Sequence, residues 1–229
     1  MFRGVVTDVF FDLDHTLWDF DRNSGLTFRK ILAENDMAVP LDAFLEVYVP
    51  LNLEYWKQYR ENRITKDELR YLRLRKTFDE LQVDITDALI HLLAERYIEE
   101  LTSFSHLLPD AREALDYLHP QYRLHIITNG FHEVQDRKLR NSGIHMYFTQ
   151  VINSEMAGVK KPDPYIFRLA LERAGTTPEK SLMIGDNLEA DILGARAVGL
   201  HTLHLNLRNE RAPGLGAAIT GLCEIKSYL

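Results

Sequence analysis

Four short stretches of this chain hold polar residues suited to a small, highly charged ligand. They are DLDHT with Asp12, Asp14 and Thr16, ITNG with Thr128 and Asn129, KKPDP with Lys160 and Lys161, and GDNLEAD with Asp186 and Asp191. Carboxylates brought into one pocket repel one another and repel any anion, so such a set requires cations. Asp12, Asp14 and Asp186 are hard oxygen donors of the kind Mg²⁺ takes, with waters and a phosphate completing an octahedron. A lysine of the KK pair adds fixed positive charge. The Thr128 hydroxyl and the main chain at Asn129 offer donors to phosphoryl oxygens, and Gly130 lets the chain turn close to them. Together, these groups would stabilise charge on a transferring phosphoryl group. An aspartate is ionised at neutral pH and needs no base to act as a nucleophile, and its acyl phosphate can be hydrolysed.

Such groups must be brought together by the elements that carry them. Residues 5–11, 123–128, 149–153, 181–185 and 201–205 read as short apolar strands, with helices between the later ones at about 110–118, 132–142, 163–174 and 189–198. Short apolar strands alternating with helices imply a parallel sheet covered on both faces. Residues 24–102 hold no convincing strand and read as four amphipathic helices, about 24–35, 41–61 with a kink expected at Pro50, 66–81 and 87–102. Thr65 with Glu68 makes a capping-box pattern before the third helix, and Thr86 can cap the fourth. The expected fold class is therefore α/β. A Rossmann-like parallel sheet core, residues 1–17 and 104–229, is interrupted after its first strand by a four-helix cap at 18–103. Each polar stretch then falls at the carboxyl end of a strand or in the loop that follows, where open α/β sheets bind ligands.

Composition narrows the partners. The formal net charge is -7, from 34 acids against 27 bases, which speaks against a surface that tracks a nucleic acid polymer. A small anion held by a local site fits that balance. The single cysteine, Cys223, forbids an intrachain disulfide and points to a reducing compartment. No apolar run approaches the ~18 residues of a membrane span, and the first residues lack a cleavage signal, so the expected location is the cytoplasm with no membrane partner. The sequence leaves the oligomeric state open. His201 and His204 lack partners for a metal site. GLGAAI at 214–219 imitates a dinucleotide fingerprint without its third glycine or preceding strand.

In this order, the four stretches resemble the motifs of the haloacid dehalogenase-like hydrolase superfamily, with the helical block matching a cap placed between the first two. The resemblance implies a Mg²⁺-dependent phosphomonoester hydrolase working through an aspartyl phosphate. It makes Asp12 the nucleophile, and Asp14 the group that protonates the leaving oxygen and then takes a proton from water. It selects Lys161, the lysine directly before proline, and assigns Thr128 and Asn129 to the phosphate. The metal falls to the Asp12 carboxylate, the Asp14 main-chain carbonyl and Asp186, with Asp191 behind them. Thr16 is either a turn residue or a group orienting Asp12, and His15 is expected to face solvent.

Asp14 argues against dehalogenation, which does not need it. A phosphosugar phosphatase or mutase, and a phospho-ligand-binding protein without turnover, stay open. TLWDFDRNSGL, IITNGF and GDNLEADILGARAVGL resemble the house-cleaning pyrimidine 5'-nucleotidase subgroup, which implies a nucleoside monophosphate as the small phosphorylated partner. Trp18, Phe20, Trp56 and Tyr59 could stack on a base, although aromatics at helical spacing more often form a core.

Overall fold

The computed structural model describes residues 1–207 and 216–229. The chain divides into two units, residues 1–20 with 105–229, and residues 21–104.

The first unit is built on a six-stranded sheet with the order β3-β2-β1-β4-β5-β6, parallel throughout. Its strands are β1 (Asp8–Phe11), β2 (Arg123–Thr128), β3 (Phe148–Asn153), β4 (Ser181–Gly185), β5 (His201–Leu205) and β6 (Ala217–Ile219). Strand order reverses at β1, which pairs with β2 on one side and β4 on the other, so the crevice beyond their carboxyl ends is the topological switch point. β1 is DVFF and wholly buried, the composition of a central strand with both faces covered. Phe10 packs with Ile127, Ile166, Phe167 and Met183 in the core. Burying each such side chain contributes about 1.5–3 kcal/mol.

The strand expected at 5–11 is shorter than its apolar run. Val5 and Val6 donate main-chain N–H bonds to Phe2, in a turn that carries Gly4 at φ 75°, so neither joins the ladder; Val6 is buried in the core and Val5 is exposed. The short helix α7 (Ser154–Ala157) and strand β6 lie below the length at which periodicity reads. The helix expected at 189–198 is a π-helical segment, Leu188–Leu193, running into a turn of α-helix at Gly194–Ala197. Of the run 214–219, Gly214 and Leu215 lie outside the described residues.

The second unit holds the helices α1 (Phe20–Glu34, from its second residue), α2 (Leu41–Arg60), α3 (Lys66–Glu80) and α4 (Asp87–Glu100). Thr65 and Glu68 form the reciprocal capping box, and Thr86 accepts from the Leu89 N–H at the start of α4. Its centre is aromatic: Phe28, Phe44, Tyr48 and Tyr97 are all buried with neighbouring ring centroids 4.5–5.5 Å apart. Arg73 is buried among them, 4.8 Å from the Tyr97 ring centre and donating to Asn52 Oδ1 at 3.0 Å. Among the described residues no helix is long and apolar enough to cross a membrane.

Candidate active site

Asp12 is the first residue beyond β1, and its main-chain N–H still bonds Ile184 of β4 at 2.9 Å. That bond fixes the backbone of a carboxylate that is 8% exposed. Lys161, 1% exposed, places Nζ 2.6 Å from Asp12 Oδ1, 2.6 Å from the Ile127 carbonyl oxygen and 2.6 Å from Asp191 Oδ1. The ammonium donates to the first two of these oxygens. The Asp191 contact is an ion pair bent too far for a formal hydrogen bond. Burial pushes the Asp12 carboxyl up to about 7, and the nearby Asp191 and Asp14 carboxylates push the same way against the Lys161 ammonium. Burial alone would lower the Lys161 ammonium, but Asp12 and Asp191 outweigh it and hold the cation.

Asp186 follows β4 and is held from two sides. Its main-chain N–H donates to Thr16 Oγ1 at 3.1 Å, and its carbonyl accepts from His204 Nε2 at 2.9 Å. Thr16 thus ties the first loop to the fourth and makes a long 3.5 Å bond to Asp186 Oδ1. Asp191 reaches back from the π-helical segment, where its Oδ2 accepts from the Asn187 N–H at 3.0 Å. A Cβ on Gly185 would lie 2.3 Å from that oxygen, so the glycine ending β4 makes room for Asp191.

Ligand oxygens of Asp12, Asp186 and Asp191 lie within 4.8 Å of one another. Both Asp191 oxygens are engaged, Oδ1 with Lys161 and Oδ2 with the Asn187 N–H. A divalent cation fits this donor set: the oxygens are hard, and Lys161 alone does not offset the charge.

The second motif is organised by contacts that its sequence does not announce. The Asn129 side chain pairs with the main chain of Lys161 in both directions, accepting from its N–H at 2.7 Å and donating to its carbonyl at 3.0 Å. It clamps the lysine loop, so only the Asn129 main chain is left to face a phosphate. Thr128 Oγ1 accepts from the Gly130 N–H at 3.1 Å and from Gln135 Nε2 at 2.8 Å. Gly130 has no positive φ. A Cβ there would fall 1.8 Å from Gln135 Nε2, so its glycine clears a path for Gln135.

Both oxygens of the Asp14 carboxylate are engaged by other side chains. Its Oδ2 accepts from Gln135 Nε2 at 2.9 Å, and its Oδ1 sits 2.5 Å from Lys138 Nζ. Ligation of a shared ion by Asp14 would therefore run through its main-chain carbonyl. Gln135 and Lys138, in α6 (His132–Asn141), were not singled out by the sequence reading. The helical wheel holds a signal for both, because they share the buried face with Val134 and Leu139.

His15, expected to face solvent, is half-buried at φ 61°, its ring 4.9 Å from that of Phe20. Of the two readings of Trp18, the structure gives the core one: it is fully buried against Lys138 and has no face open to a base.

A sheet switch point carrying these groups defines a phosphoryl-handling hydrolase of the α/β class, and comparison with known proteins places it. The chain belongs to the haloacid dehalogenase-like hydrolases, whose family model matches residues 9–199. It is 36% identical over 198 residues to the pyrimidine 5'-nucleotidase PynA of Streptococcus pneumoniae, covering 86% of this chain and 82% of PynA. It is 33% identical over 207 residues to the pyrimidine 5'-nucleotidase YjjG of Escherichia coli, covering 90% and 88%. The crystal structure of the hydrolase YfnB from Bacillus subtilis, bound to magnesium, superposes with a TM-score of 0.88 at 29% identity over 99% of each chain. The chain is an enzyme, a hydrolase of the phosphatase kind.

Proposed function

We propose that this enzyme is a Mg²⁺-dependent phosphatase of nucleoside monophosphates, acting through a phosphoryl group carried on Asp12. The observation that carries the reading is Lys161 bound at 2.6 Å to Asp12, with Asp186 beside them beyond the carboxyl ends of β1 and β4. An oxygen of Asp12 attacks phosphorus as the ester P–O bond breaks, and the departing oxygen takes a proton from Asp14. Water then attacks the aspartyl phosphate, gives its proton to Asp14 and releases inorganic phosphate. Lys161 stabilises the charge that develops on the phosphoryl oxygens.

The Thr128 oxygen accepts two N–H bonds, so its own proton is directed to a third partner, a phosphoryl oxygen. The main chain of Asn129 supplies a second donor. Asp12, Asp186 and the main-chain carbonyl of Asp14 would hold the Mg²⁺, and Asp191 would orient Lys161 from behind. When bound, the ion offsets the carboxylate charge and polarises a phosphoryl oxygen.

The choice of nucleotide rests on the identity to PynA and YjjG across most of the chain. A cytoplasmic setting fits the free, exposed Cys223. Phosphate release from a panel of nucleotides, sugar phosphates and phosphoamino acids, with Mg²⁺ and after EDTA treatment, tests the proposal. Pyrimidine nucleoside monophosphates should lead the panel, and EDTA should stop turnover until Mg²⁺ is restored. A lead for sugar phosphates would remove the nucleotide assignment; full activity after EDTA would remove the metal.

A further inference from the structure

Besides Lys161, the first unit buries a second lysine at the same end of the sheet. Lys138 is 2% exposed, and its Nζ touches Asp14 Oδ1. It lies 4.3 Å from the centre of the Trp18 ring and 5.3 Å from that of Phe20. Placing an ammonium there is expensive unless its partner and the ring faces recover the lost hydration. Gln135, 1% exposed and three residues earlier on the same face of α6, holds the other Asp14 oxygen and passes its second amide proton to Thr128. Both oxygens of Asp14 are therefore fixed from one helix. The chain also leaves Gly130 bare where any side chain would collide with Gln135.

A long, flexible lysine confined by two aromatic rings fixes the place of the carboxylate it touches, and an amide that spans two groups fixes their separation. We propose that Lys138 and Gln135 are positioning residues, which aim the Asp14 carboxylate at the leaving-group oxygen and tie it to the phosphate-facing Thr128. The proposal rests on the reading of Asp14 as the proton donor to that oxygen. Proton transfer tolerates little displacement between donor and acceptor, so a misplaced Asp14 costs rate where the leaving oxygen needs a proton.

The test uses two esters, a pyrimidine nucleoside monophosphate, whose alkoxide must be protonated as it departs, and dinitrophenyl phosphate, whose phenolate leaves as an anion. kcat/KM reports the steps up to departure of the leaving group for both. Lys138→Met should lower kcat/KM by about 10²-fold for the nucleotide and less than about threefold for the aryl ester. Lys138→Arg should recover part of the nucleotide rate. Loss on both esters together, or on neither, would overturn the proposal, because a structural role does not distinguish leaving groups. Asp14→Asn, measured alongside, separates the two ideas. If it too fails to discriminate, the proton-donor reading is wrong; if it discriminates and Lys138→Met does not, only the positioning role fails. Should Lys138→Met not fold, Gln135→Leu carries the same comparison with the same outcomes.

Discussion

Strand β1 has a buried aspartate at each end of its run, and the protein treats the two in opposite ways. Asp8, at the amino end, is fully buried and accepts from Thr7 at 2.7 Å, Arg123 at 2.8 Å, His125 at 2.9 Å and Thr176 at 2.9 Å. Burial pushes its carboxyl up, but these four partners outweigh it and leave it below the ordinary value. Asp12, at the carboxyl end, has one lysine and two neighbouring carboxylates, and its carboxyl is pushed up. One charge is saturated with donors and locked in place. The other is left short of positive charge beside a space that oxygen-bound cations suit. A buried charge whose partners are complete serves the fold, whereas one whose partners are incomplete is poised to receive something.

The largest effect should come from breaking the unsatisfied end. Asp12→Asn removes the attacking charge at almost no change in volume, so turnover should fall by at least about 10³-fold while the unfolding midpoint barely moves. A phosphatase assay with a thermal melt reads both, and retained activity would contradict the nucleophile assignment. The saturated end should respond the other way round. Asp8→Asn leaves His125 and Arg123 facing a neutral group and should cost about 3 kcal/mol of stability, with kcat per folded molecule unchanged. A large loss of kcat there would erase the division between the two ends.

The smallest effect concerns pH. The Asp8 carboxylate can only accept, so His125 carries a proton on Nε2 in either charge state. Burial holds its pKa below the ordinary 6.5, although Asp8 acts against that and Arg123 with it. The unfolded chain therefore takes up a proton that the folded one refuses, so the contribution of His125 to stability is full above about pH 6.5 and declines as pH falls below it. Asp8, lowered from 3.8, adds a second decline beginning near that value. The raised Asp12 carboxyl acts in the opposite sense over this range, because the folded chain takes up its proton first, so the His125 effect is read from thermal melts as a difference: as pH falls below about 6.5 the wild type should lose stability relative to His125→Gln, and parallel profiles would refute it.

The α/β order was legible because strand-length apolar runs alternate with helical ones, and the four polar stretches were legible because each follows such a run. What escaped has a common physical cause. Asp8 reads as one residue in an apolar strand, and nothing local shows that Arg123, His125 and Thr176 converge on it. Lys138 and Gln135 look like ordinary polar positions of an exposed helix until the buried face is drawn. Asn129 was assigned to the phosphate through its main chain, and nothing in the motif showed that its side chain clamps the Lys161 loop, a pairing across 32 positions that no local pattern encodes. Residue types announced the chemistry; which groups hold which depended on contacts distant in sequence.

The phosphoryl group on Asp12 is open to direct detection. Enzyme quenched with borohydride during turnover of a nucleoside monophosphate, then digested and sequenced by mass spectrometry, reports any acyl phosphate as a reduced side chain. Homoserine should be found at position 12 and at no other aspartate. Substrate consumed with Asp12 unmodified, or reduction at Asp14 or Asp186 in its place, would refute phosphoryl transfer to the first aspartate.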